Sequence, residues 1–173
     1  MQLPLGRPQN DEAAPHYFNY INQISGDDPL SVLEQQLGGC LTEFAQISEQ
    51  KSLHRYAPEK WSIREVLNHV SDVERVFAFR ALWFARGFPT PLPSYEQTGA
   101  VSAAEADRIS WAAHVEEFRG VRLATLALFR NLPSAAWMRS GIASDHRFSV
   151  RAFPYIIAGH LAHHAALLRE RYR

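Results

Sequence analysis

The sequence predicts an all-α fold: a four-helix bundle preceded by a short helix and an extended N-terminal arm. Three observations carry this. Four long stretches repeat apolar residues at helical spacing. Caps, prolines or glycines punctuate the gaps between them. No stretch carries the two-residue alternation of a half-buried strand. With 173 residues, 46% of them apolar, the chain reads as an arm over 1–15 and one domain over 16–173.

Three prolines fall within residues 1–15, which predicts an extended arm. His16 to Ile24 reads as a short helix ended near Ser25-Gly26. Asp28-Pro29 opens the first long helix, with an N-cap acceptor followed by proline at the first helical position. Its stripe is Leu30, Leu33, Leu37, Leu41 and Phe44, and it runs to about Ser48. Gly38-Gly39 weaken its interior by about 1 kcal/mol each and would admit another helix at close range. Tyr56-Ala57-Pro58 breaks the pattern. Ser62 and Glu65 then form a capping box, with Trp61 as a staple. The second long helix runs from Ile63 to about Arg86 with the stripe Val66, His69, Val73, Val76, Arg80, Trp83 and Phe84. Gly87, Pro89, Pro91 and Pro93 end it. A long loop to about Ser102 follows, of the kind that often carries function. Ser102 with Glu105 predicts a second capping box. The third long helix continues from there to about Asn131 with the stripe Trp111, Val115, Phe118, Arg122, Leu126 and Phe129. Met138 to Ser149 lacks periodicity. Ser149 is the expected cap of the last helix, which reaches the C-terminus.

Bulk properties exclude several classes. Eighteen basic residues balance eighteen acidic ones, so no global charge favours nucleic acid. The single Cys40 excludes an internal disulfide framework and every multi-cysteine zinc motif. No signal peptide is visible in Met1 to Asp11, and no apolar run reaches membrane-spanning length. A cytoplasmic setting is expected.

The last helix holds Gly159-His160-Leu161-Ala162-His163-His164. His160 and His164 are four residues apart, so they share a face. That face carries Phe153, Ile156, Ile157, Leu167 and Leu168. An imidazole in a packed stripe needs partners, and two of them point to a metal. His69, on the inward stripe of a facing helix, is the third ligand candidate. Such a three-histidine set leaves coordination positions open, as catalytic sites do. Imidazole suits zinc, nickel, copper and iron alike. There is no His-Glu-x-x-His, so the zincin glutamate is missing. His163 and His114 are the competing ligands; His16, His54 and His146 read as surface residues. Arg80 and Arg122 also face inward. A structural ion-pair network with Glu74 or Glu117 is the preferred reading, and an anion clamp for a carboxylate-bearing substrate the alternative. Asp72 is equally a partner for a ligand imidazole or a solvated acid. Tyr155 reads mainly as packing, and Cys40 as a buried inert thiol.

Lys60-Trp61-Ser62-Ile63-Arg64-Glu65-Val66-Leu67-Asn68-His69, followed by Asp72-Val73-Glu74-Arg75, resembles the DinB/YfiT-like superfamily. So does Tyr155-Ile156-Ile157-Ala158-Gly159-His160-Leu161-Ala162-His163-His164 with Glu170-Arg171-Tyr172. The resemblance extends from about His16 to the end. It implies a four-helix bundle of unusual connectivity, a homodimer, and a divalent metal, zinc or nickel as isolated, on His69, His160 and His164. His163 matches a neighbouring histidine that is typically not a ligand. Some members use mycothiol, bacillithiol or glutathione in S-transfer or isomerisation. The expected activity is therefore a metal-dependent transfer of a low-molecular-weight thiol to an electrophilic small molecule. The alternatives are a metal-dependent hydrolase or a non-catalytic metal-binding stress-response module. The loop from Gly87 to Ala100 would contact substrate, and Asp72, Glu74 or Tyr95 would handle protons.

Overall fold

The computed structural model describes residues 6–172; the first five residues of the expected arm lie outside them. A 3-10 turn, Pro15–Tyr17, leads into a short α1, Phe18–Ile21. Four long helices follow in chain order: α2, Pro29–Phe44; α3, Ile63–Ala85; α5, Trp111–Arg130; and α6, Ala152–Arg171. A shorter α4, Gln97–Ala104, sits between α3 and α5. Helix α3 packs on α5 and α6, and α2 packs on the same two. The order around the bundle is therefore α2, α5, α3, α6, and the successive long helices α2 and α3 lie on a diagonal. A direct up-and-down bundle would make them neighbours.

The caps explain the best-placed boundaries. The Asp28 carboxylate accepts from the Ser31 amide at 3.1 Å, which starts α2. Ser62 Oγ accepts from the Glu65 amide at 3.1 Å, and Glu65 accepts from the Ser62 amide at 2.8 Å. That reciprocal pair fixes the start of α3.

Four expectations are corrected. Ser102 lies inside α4, and Glu105, in the left-handed region at φ 46°, ends it. The third long helix starts at Trp111, where Ser110 accepts from the Ala113 amide. The segment without periodicity is a β-hairpin of β1, Ser140–Ala143, and β2, His146–Ser149. Its loop residues Ser144 and Asp145 both have positive φ, 50° and 63°, as in a type I′ turn. Ser149 does not cap α6: its hydroxyl donates to Glu12 at 2.6 Å. Nothing approaches the Cβ positions of Gly38 and Gly39, so they admit no close neighbour.

The apolar core forms two clusters. One gathers Phe84, Phe129, Phe148 and Phe153 beneath the hairpin. The other gathers Phe44, Leu67, Trp111, Phe118 and Leu161. His69 lies in sequence between Val70 of the second and Val73 of the first on one side and Val66 on the other. His160 lies between Ala158 of the first and Leu161 of the second. The histidines therefore sit where the two clusters meet.

Candidate metal centre

Helix α3 presents His69 two turns beyond its capping box, under the Trp61 ring at a centroid distance of 4.9 Å. Helix α6 presents His160 and His164 one turn apart. Gly159 lets α1 close over this point, because a Cβ there would stand 2.2 Å from the Tyr20 carbonyl oxygen. The Tyr20 ring consequently meets His160 edge-on, with centroids 5.5 Å apart.

The three imidazoles are 1%, 6% and 8% exposed for His69, His160 and His164. His69 Nε2 lies 3.2 Å from His160 Nε2, and His164 Nε2 lies 3.1 Å from it. One ligand atom from each ring falls within 4.8 Å of the others. With metal–nitrogen bonds of about 2.0–2.1 Å, the edge of a tetrahedron is about 3.3 Å and that of an octahedron about 3.0 Å. The observed separations match this scale. They are also chemically telling. His160 Nε2 faces two ring nitrogens, and one proton or one lone pair satisfies only one of them. A shared cation satisfies all three, so the residues present fit a divalent metal.

Burial holds the rings neutral, as ligands must be. Desolvation lowers His69 to about 4. Desolvation, then the nearby His69 and His163, lowers His164 to about 3. Desolvation, then His164, His69 and His163, lowers His160 well below its ordinary value. The outer nitrogens are less well served. Nδ1 of His69 and of His164 is buried with no hydrogen-bond partner among the described residues. A ligand histidine usually donates this N–H to a carboxylate or carbonyl. Asp72 does not take that role, since its carboxylate accepts from Arg75 at 3.1 Å.

The other candidates separate clearly. His163 is exposed. His114 is buried elsewhere, with Nε2 2.9 Å from the Ala106 carbonyl oxygen. Glu74 and Arg122 are removed from both proposed roles. Arg122 Nε and Nη2 donate to Glu74 at 2.9 and 2.8 Å, and Nη1 donates to the Leu33 carbonyl at 3.0 Å. Neither lines the cavity that reaches His160. Tyr155 is buried beneath Arg7, and it too lies outside that cavity.

That cavity, of about 240 Å³, is bounded by α1, α3, the hairpin tip and the segment before α4. Tyr95 and Arg80 line it as well as His160. So do Tyr17, Tyr20 and Ser144, which the sequence did not single out. Their signal was absent: Tyr17 lies in the 3-10 turn and Tyr20 in α1, both too short for periodicity, and Ser144 lies in a hairpin turn without Asn-Gly. His16, read as a surface residue, is exposed yet borders the opening.

Fold and site together define a helical-bundle protein with a buried three-histidine set suited to a divalent cation. Residues 33–168 match the family model described as the DinB superfamily, and the chain belongs to that superfamily. No curated protein sequence matches it. Among solved structures it is similar to YfiT from Bacillus subtilis, described as a probable metal-dependent hydrolase with an unusual four-helix bundle topology. That likeness has 17% identity and a TM-score of 0.65, and covers 97% of this chain and 95% of that one. It is also similar to the mycothiol-dependent maleylpyruvate isomerase, at 10% identity and a TM-score of 0.70. Here 84% of this chain matches 61% of the isomerase. At these identities the likeness is one of fold.

Proposed function

We propose that the protein is a metal-dependent enzyme that uses His69, His160 and His164 to hold a divalent ion and transfers a low-molecular-weight thiol to an electrophilic small molecule. The observation that carries this reading is the convergence of three buried, neutral imidazole nitrogens, one of them, His160, lining a cavity. A divalent ion there would lower the pKa of a thiol or water beside it and supply a nucleophile at neutral pH. Three imidazoles add no negative charge of their own, so the site favours an anionic ligand. Trp61 and Tyr20 pack against the rings and restrict water. Tyr95 lines the cavity, and burial, then the charges of Asp72 and Glu96, raise its pKa. It stays protonated and serves as the proton donor. The thiol comes from a small molecule, because Cys40 is buried and desolvation, followed by Glu43, pushes it up to about 11.

Hydrolysis is the second reading, favoured by the full-length likeness to YfiT. Association of two copies and a cytoplasmic setting, where such thiols stay reduced, complete the proposal. The test is turnover by zinc- or nickel-loaded protein with glutathione, bacillithiol or mycothiol and a panel of electrophiles. We expect metal-dependent thiol consumption that His160→Ala abolishes. Metal-dependent hydrolysis without thiol transfer would replace the first reading with the second. Loaded protein that turns over neither would be a non-catalytic module and would overturn both.

A further inference from the structure

Among the described residues four arginines are buried: Arg64, Arg80, Arg122 and Arg151. Three of them have a carboxylate. Arg64 meets Glu49, Arg122 meets Glu74, and Arg151 meets Glu12. Arg80, only 3% exposed, makes no ion pair among the described residues. Its Nη2 donates to the Pro93 carbonyl at 2.8 Å and to Ser144 Oγ at 3.1 Å. The Tyr17 phenol lies close by and is the one group whose charge acts on it appreciably. The guanidinium also lies over the Phe77 ring, 5.9 Å from its centroid.

These contacts orient the guanidinium without neutralising it. A buried cation is normally paired, and an arginine stays charged under all ordinary conditions. Nη2 is occupied by Pro93 and Ser144. The N–H groups on Nε and Nη1 outnumber the single Tyr17 oxygen, so donors remain for an incoming anion. The group also lines the cavity that reaches His160. Arg80 is eleven residues beyond His69 on α3, three turns later and nearly on the same face, about 16 Å along the axis. Its side chain leans back toward the histidines, as helical side chains do. Val73 and Phe77 form the apolar wall between them.

We infer that Arg80 and Tyr17 form a carboxylate-binding subsite, so that the molecule occupying this cavity is a small organic acid whose far end reaches toward the histidines. The inference rests on the proposed metal reading for the role of that far end; the subsite itself does not require the metal. A planar, singly charged carboxylate matches the planar guanidinium fork, and the Tyr17 hydroxyl donates a further hydrogen bond. Burial raises the Tyr17 pKa and keeps that proton in place. The cavity is smaller than the roughly 300–1,000 Å³ usual for drug-sized ligands, which limits the acid to a few carbons. A structural role alone, holding the Pro93 segment against the hairpin tip, needs no positive charge.

The test compares a carboxylate with its amide. Zinc-loaded wild type is titrated by calorimetry with 3-mercaptopropionate and with 3-mercaptopropionamide. Metal-free protein is titrated with succinate, succinamide and inorganic phosphate while the Arg80 Nε–H resonance is followed. We expect at least about tenfold tighter binding of each carboxylate than of its amide, and a shift of the Arg80 resonance by succinate. Arg80→Met should erase the preference. His160→Ala should weaken the zinc-dependent binding. Equal affinity for acid and amide in wild type overturns the subsite and needs no variant to fold. Tighter binding of phosphate than of succinate overturns the carboxylate assignment. If the protein takes up no zinc, the metal-free titration still decides the subsite while the metal reading fails.

Discussion

Arg122 lies with both Glu74 oxygens, the Leu33 carbonyl and Gln36 around its guanidinium, and it is fully buried. Such a pair is costly to break, because removing one partner leaves the other charge buried and uncompensated. Arg122→Met should therefore lower stability by about 3–5 kcal/mol, read from the denaturant midpoint. Arg122→Met with Glu74→Leu should recover most of that loss, since apolar groups of similar volume replace the pair. Both variants should keep their metal, because neither residue touches the histidines. A double variant no more stable than the single one would show that this pair is not what Arg122 contributes. The inward stripes alone placed Arg80 and Arg122 in one class. Only the positions of the carboxylates separate them: Glu74 is one helical step from Val73 and turns to α5, while no acid among the described residues pairs with Arg80.

Helix α1 packs against α6 with a close approach at one point, the Tyr20 carbonyl over Gly159. Gly159→Ala should force the two apart and destabilise the protein by about 1–3 kcal/mol, lowering the melting temperature. Proteolysis between α1 and α2 should also quicken, with the N-terminal segment released first. Unchanged melting and proteolysis would contradict this packing. The sequence disclosed the elements whose local chemistry is self-contained. Asp28-Pro29 and Ser62 with Glu65 mark α2 and α3 because their caps lie within four residues. It failed where the deciding contact is distant or the signature incomplete. Ser102-Ala103-Ala104-Glu105 has the capping-box spacing, yet Glu96 caps α4 ahead of it by accepting from the Thr98 and Gly99 amides. Ser110 starts α5 with no glutamate three residues on. The hairpin turns through Ser144-Asp145, and Leu92 pairs with its first strand by donating to the Ile142 carbonyl at 2.9 Å. Within the site, helical spacing brought out the three histidines. The cavity wall drew on α1 and the hairpin, which carry no such spacing.

At the scale of the whole molecule, the histidine cluster couples folding to pH. The unfolded rings take up protons near pH 6.5, whereas the folded ones resist them down to about 4 for His69 and about 3 for His164. Below pH 6.5 the unfolded state therefore binds more protons, and stability falls as pH falls. The metal-free protein should lose roughly 1.4 kcal/mol per pH unit for each ring, or roughly 4 for the three, between about pH 6 and 4. Removing all three histidines should flatten that slope, as denaturant melts across the range would register. Glu12 acts in a lower window. Burial opposes its charge, but hydrogen bonds from Arg151, Ser149 and the Gln9 amide outweigh this and hold it at about 2. Its contribution is complete above about 4.5 and is lost as pH falls toward 2. No helix among the described residues is long and apolar enough to cross a membrane. The proposed pairing of two copies predicts a light-scattering mass twice that of the chain, and a monomer mass would contradict it. The most direct test of the three-histidine site is the metal content of protein purified in metal-replete medium without an affinity tag. About one divalent ion per chain in wild type, and none in the His69→Ala, His160→Ala, His164→Ala triple variant, is the predicted result; an empty wild type, or a triple variant that keeps its full complement, would contradict it.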